Sequence, residues 1–388
     1  MQPTDRVLKS STAAAAVLAG VVLAGCTSED TTSAEAGSGS PAAITVVATD
    51  AECELSATTA STGPSTFVIT NNGTKATEFY VYGEGQRVVG EVENISPGLQ
   101  RKLVVNLTEP GTYHTACKPG MVGDGIRGDF VVAGQAVQLN TDAGYQKAAS
   151  DYKRYVTDQA EALVPATEAF ASAIRAGDVA KAKGLYPTTR TYYERIEPVA
   201  ESFPNDLDPR IDLREADLQE GQVWTGFHRL EKDLWVSGLR PDSAEVADQL
   251  VSDVTELAAG VKSPQWTIDP IQVAGGAQEL LDEVAASKIS GEEDIFSHTD
   301  LWDFNANLEG AQTAVASVRP ILDQRNPDLS KRIDQRFAEV EALLAKYRSG
   351  DGFVLYTSVT DQQRQELSRA IDALSKEVSQ VQGAIAFQ

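Results

Sequence analysis

Histidine, methionine and cysteine are scarce in this 388-residue chain, with three, two and three copies, and 33 Lys and Arg are outnumbered by 56 Asp and Glu. The formal charge of -23 leaves no basic face for phosphates and excludes nucleic acid as a natural partner. It suits the attraction of cations, although most such charge only solvates the surface of an exported protein. No HExxH pair that would ligate zinc and supply a base is present. The longest small, apolar run, residues 10–25, is short of the about 20 residues that a spanning helix needs. What the chain does have is length for two domains and a leader.

The leader carries the most specific short signal. Arg6 and Lys9 precede the apolar run, which ends in Leu23-Ala24-Gly25-Cys26. A charged stretch followed by an apolar one describes a signal peptide, here residues 1–25. Small residues suit a peptidase cleft, and a cysteine just past the cut offers a thiol for a diacylglyceryl group. The tetrapeptide resembles the lipobox of bacterial lipoproteins, which implies lipidation at Cys26 and localisation at the cell membrane, lipid-anchored on its extracytoplasmic face. The alternative is a plain secretory signal with a cysteine nearby. Residues 26–42 offer little to bury and read as a flexible tether.

Residues 43–138 read as an all-β domain. Short runs rich in Val, Ile, Thr, Phe and Tyr alternate with turn formers such as Asn71-Asn72-Gly73 and Pro97-Gly98. About seven such strands predict a small Greek-key sandwich. Cys53 falls just beyond the first strand and Cys117 in a loop before the last, and in an exported chain this remaining pair suits a disulfide. A second reading is open. The segment from Gly111 to Met121 resembles the copper-ligand loop of cupredoxins, but Cys117 is followed by Lys118, Pro119 and Gly120 where a histidine is expected, and His114 precedes it. That disfavours a blue-copper centre and leaves a looser site drawing on Glu78, Cys53, Cys117 or Met121.

From residue 141 to residue 388 the spacing becomes helical, over roughly 143–176, 178–202, 214–236, 243–260, 270–287, 298–319, 323–348 and 358–384. Short connections predict an antiparallel bundle, with Pro187, Pro198, Pro264, Pro320 and Pro327 at breaks or first turns. His228 and Glu231 stand three residues apart, on one helical face, and Glu194 and Glu197 repeat that spacing. Asp212 opens a further acidic segment. Each glutamate alone reads as a solvated helix face; converging, they would make an oxygen-rich site with one imidazole, suited to iron, manganese or zinc.

Long segments carry a family resemblance: Thr189 to Pro198, Asp206 to Asp212, Trp224 to Trp235 and Ile289 to Leu308. They resemble the imelysin-like domain of the EfeO family of iron-uptake lipoproteins, and residues 43–138 resemble that family's cupredoxin-like domain. The resemblance implies an N-terminal all-β Greek-key cupredoxin-like sandwich followed by an all-α imelysin-like helical bundle. It implies ferric iron bound in the helical domain by the family's HxxE pattern at His228 and Glu231, with Glu194, Glu197 and Asp212 as acidic companions. A second metal, copper or iron, is implied in the cupredoxin-like domain at Glu78, Cys53 and Cys117. The partners implied are an EfeU-type iron permease and an EfeB-type haem peroxidase, and the role is binding and delivery, not enzymatic turnover. A metal-dependent peptidase and a polysaccharide- or surface-binding module are the alternatives.

Overall fold

β-Branched and aromatic residues at every second position build the first half. In the computed structural model, which describes residues 42–137 and 142–386, nine strands form two sheets. They are β1 (Ile44–Ala48), β2 (Cys53–Leu55), β3 (Thr59–Ser61), β4 (Gly63–Asn71), β5 (Thr77–Tyr82), β6 (Val88–Ile95), β7 (Gln100–Leu107), β8 (Gly111–Cys117) and β9 (Ile126–Ala133). The first sheet has the order β2-β1-β4-β7 and the second β3-β9-β8-β5-β6, with β1/β4 and β3/β9 parallel and the other pairs antiparallel. The expected lipidation at Cys26, the leader and the tether lie outside the described residues.

Between the sheets, Phe67 packs at a tilt against Phe79 and Phe130 with centroids 5.3 and 5.4 Å apart, among Val46, Ile69, Val81, Leu103 and Val105. Cys117 is buried in this core, and it is disulfide-bonded to Cys53. In that form neither sulfur is a thiolate, so the soft-ligand site proposed for the pair is not formed here. Two details differ from expectation. Cys53 opens β2, and Gly111–Cys117 is strand rather than ligand loop, because Tyr113, Thr115 and Cys117 face inward at alternate positions. The disulfide spans 64 residues and closes a long loop of the unfolded chain. Cys53→Ala with Cys117→Ala is therefore expected to cost roughly 2–4 kcal/mol, read as a lower urea midpoint for unfolding. An unchanged midpoint would show that the crosslink contributes nothing.

The second half is helical: α1 (Ala143–Arg175), α2 (Val179–Glu194), α3 (Glu197–Glu201), α4 (Leu207–Asp212), α5 (Gly226–Lys232), α6 (Ser243–Lys262), α7 (Pro270–Glu283), α8 (Asp300–Arg325), α9 (Pro327–Leu344), α10 (Asp361–Val378) and α11 (Val381–Ala386). A two-residue-per-strand hairpin, β10 (Arg348–Ser349) with β11 (Gly352–Phe353), interrupts it after α9. Asp269 caps α7 with a reciprocal box to Gln272, and Thr360 does the same for α10 with Gln363. Pro198 and Pro327 sit in first turns, but Pro187 and Pro320 lie inside α2 and α8. A mid-helix proline costs about 3 kcal/mol in isolation. Here α2 and α8 are clamped in a continuous core with α1 and α7, and that packing overrides the local preference. The segment 214–225, expected to be helical, is mostly irregular apart from a single tight turn at Glu215–Asp217.

β5 is buried at every position because both its faces are covered. Phe79 and Val81 enter the sandwich core, while Tyr80 and Tyr82 form a separate cluster on the opposite face. β6 continues that outer face with Glu91 and Glu93 and packs against α7. Asn106 of β7 donates to Asp269 at 3.3 Å, fastening the sandwich to the start of α7.

Candidate metal centre

Four residues apart on one face of α2 lie Tyr186, Arg190 and Glu194, all with side chains fully buried. Opposite them, α4 ends in Asp212 and α5 begins at Gly226. Gly226 has φ +87°, and a Cβ there would lie 2.2 Å from the carbonyl oxygen of Ile211. Only glycine lets α5 start this close to the end of α4, and that approach brings His228 to Asp212. The third contribution comes from the irregular segment between α7 and α8, which supplies Glu293 and Asp294. Beyond α7 the chain widens into a π turn, Val284–Lys288, that ends on the buried Lys288; such turns concentrate at functional sites.

The imidazole of His228 is the hub. Its Nδ1 lies 3.2 Å from Glu231 Oε2 and 4.0 Å from Asp294 Oδ1; its Nε2 lies 3.4 Å from Glu293 Oε1 and 3.6 Å from Asp212 Oδ1. Nε2 is buried and makes no hydrogen bond. Glu231 is aimed by two backbone donors, the N–H groups of Phe296 at 3.0 Å and Ser297 at 2.7 Å, on its other oxygen. Tyr186 donates to Asp294 at 2.9 Å. Three overlapping ligand groups result: Asp212, His228 and Glu293; His228, Glu231 and Asp294; and Glu194, Glu293 and Asp303, each with ligand atoms within 4.8 Å of one another.

Three cations share this space: Arg190, Lys288 and, 3.6 Å from Glu293, Arg214. The Arg190 guanidinium binds Asp303 at 2.9 Å and Glu293 at 3.1 Å and also pairs with Asp212 and Glu194. Lys288 reaches Glu283 at 3.2 Å, Glu194 at 3.3 Å, Glu197 at 3.4 Å and Glu293 at 3.5 Å. They hold together carboxylates that would otherwise repel in a dry interior. Burial opposes charge on His228, as does Arg190, yet Asp212, Glu231 and Glu293 outweigh both and push its pKa up to about 10. An ion taking this imidazole must therefore displace a proton. Burial also pushes Glu194 up to about 7, against the pull of Lys288 and Arg190. Glu293 goes the other way: Lys288 and His228 overcome its burial and hold it well below the usual carboxylate range.

Of the residues expected from the sequence, Glu231 meets His228 at Nδ1 and Asp212 meets it at Nε2, in two separate ligand groups, and Glu194 joins through Glu293. Glu197 stands aside, paired with Lys288 and with the amide of Asn307 at 3.3 Å. Glu78 lies on the outer face of β5, 3.8 Å from Lys118, whereas its neighbour Phe79 pairs with Cys117 on the inner face. The pleat thus separates Glu78 from the cysteine pair. Glu293, Asp294, Asp303, Arg190 and Lys288 were not expected. The run Glu292-Glu293-Asp294 is the one signal for them, since three consecutive acids two residues before a Phe are a poor solvated helix face.

The imelysin family profile matches residues 148–381, and the cupredoxin-like domain profile matches residues 15–132. The iron uptake system component EfeO of Escherichia coli O157:H7 is 43% identical over 349 residues, 88% of this chain and 91% of that protein. The component of the same description from Shigella flexneri is 42% identical with the same coverage. A crystal structure of an iron-regulated protein A precursor from Parabacteroides distasonis covers 64% of this chain and 98% of its own, at 14% identity and a TM-score of 0.47.

Proposed function

Because this chain belongs to the imelysin family and, within it, to the EfeO iron-uptake components, we propose that the His228 centre captures ferric iron outside the cytoplasm for delivery to an EfeU-type permease. The chain is an extracytoplasmic iron-handling component of an EfeUOB-like system, and its work is binding and hand-over, not turnover. Among the described residues no helix is long and apolar enough to cross a membrane. The lipid on Cys26 holds the chain at the membrane, within tether reach of the permease, and an EfeB-type haem peroxidase completes the set of partners.

One observation carries the choice of centre: a fully enclosed imidazole whose Nε2 has no hydrogen bond, although two carboxylates stand 3.4 and 3.6 Å away. These separations exceed ordinary hydrogen bonds, and a small cation between the groups would satisfy all three at once. Carboxylate oxygens with one imidazole form a hard-to-borderline donor set that suits iron. On arrival, the ion takes over the neutralising work of the His228 proton while Glu231, fixed by Phe296 and Ser297, stays in place. His228→Ala with Glu231→Ala is expected to lower ferric affinity at least tenfold in a titration against a competing chelator, with an unchanged circular dichroism spectrum. An unchanged iron titration would refute this centre.

A further inference from the structure

A second group of carboxylates lies outside this centre, where the sandwich meets the bundle. We propose that Glu91 and Glu93 of β6 and Glu201 of α3 form a second binding site for a hard multivalent cation. Ligand oxygens from the three lie within 4.8 Å of one another. Glu91 is only 4% exposed, and its Oε2 is buried with no hydrogen-bond partner. An ionised oxygen left so costs several kcal/mol unless a cation or a proton meets it. Among the described residues no lysine or arginine forms an ion pair with any of the three; Lys118, whose charge acts on Glu91, sits on Glu78 and over the Tyr80 ring. Tyr80 donates to Glu93 Oε1 at 2.9 Å and so fixes that carboxylate, which also interacts with Glu283.

Access and chemistry agree with this. Glu91, Glu201 and Glu279 line a cleft of about 560 Å³ between β6 and β7 on one side and α3 and α7 on the other. Burial, together with neighbouring acids, holds Glu93 and Glu201 well above the ordinary carboxylate range, and burial does so for Glu91. A bound cation would relieve that crowding. All donors are oxygen, so the site selects harder ions than the His228 centre does. Glu283 links the two: it interacts with Glu93 and accepts from Lys288 at 3.2 Å, and Lys288 reaches Glu293. The buried Lys288 ammonium thus stands between the acids of the seam and those of the His228 centre and keeps the two sets distinct.

Terbium chloride titrated into the full chain tests this, because Tb3+ is a hard trivalent ion whose emission is sensitised by a nearby tyrosine. In the His228→Ala, Glu231→Ala background, tyrosine-sensitised emission with a stoichiometry of about one Tb3+ per chain is expected, and adding Glu91→Gln and Glu201→Gln should reduce it at least tenfold. Retained emission in the combined variant overturns the proposal. Should that variant unfold, Tyr80→Phe in the same background leaves the carboxylates intact. It should cut the sensitised emission at least threefold with the stoichiometry unchanged; undiminished emission overturns the proposal. Failure of the His228 centre would show instead in the iron titration above, which does not involve the seam residues.

Discussion

Glu293→Gln is expected to lower ferric-iron affinity by roughly a hundredfold, the largest single-residue loss in the protein. Glu293 belongs to two of the three overlapping ligand groups and lies 3.4 Å from His228 Nε2. Its charge is secured, because Lys288 and His228 hold it ionised in spite of burial. Glutamine keeps the shape and removes the charge. At an effective dielectric constant near 20, one charge contact at this range is worth several kcal/mol. Part of that is returned because desolvating a neutral amide costs less than desolvating a carboxylate. A net loss of about 3 kcal/mol corresponds to roughly a hundredfold. Competition titration against a chelator of known affinity reads it directly. A loss under threefold would show that iron sits on the Glu231 and Asp294 side of the imidazole, away from Glu293.

The second large effect concerns stability. Arg190→Met should destabilise the metal-free protein by roughly 3–5 kcal/mol, because removing one partner of a buried ionic set leaves its counter-charges stranded. Arg190 is fully buried and pairs with Asp303, Glu293, Asp212 and Glu194. For a domain of this size the melting temperature should fall by about 10 °C. Saturating iron should recover much of that fall, since an ion that binds only the folded state adds its binding free energy to stability and supplies the positive charge the arginine gave. A variant that melts lower but gains nothing from iron would place the metal beyond reach of these four carboxylates.

These two residues also mark where sequence reading stops. The three-residue spacing of His228 and Glu231 sufficed to put them on one helical face, and they do meet at 3.2 Å. Periodicity is informative wherever the backbone repeats. Glu293 and Asp294 come from a segment without a repeat, so nothing in their spacing assigns a direction to their side chains. Arg190 is a helical base, and a fully buried arginine is rare enough that solvent exposure is the default expectation. Glu91 and Glu93 were hidden for a different reason. Their alternation with Val92 is the pattern of a strand with a wet outer face, and the sequence of one domain does not say that another domain covers that face. The three-residue strands β2 and β3 are too short to show any alternation. The sandwich and the bundle as classes were legible because each rests on many repeats of its own period.

The hydrogen bonds from Phe296 and Ser297 to Glu231 have a consequence for timing. They tie the segment carrying Glu293 and Asp294 to the helix carrying His228, so opening that tie would uncover one side of an enclosed ion. Residence time then depends on the breathing of one short loop as well as on the metal–ligand bonds that must break. A docking surface that pulled on residues 295–297 would unload the carrier quickly while leaving its equilibrium affinity for free iron high. Ile295, half-exposed beside the two donors, is the handle nearest to that tie.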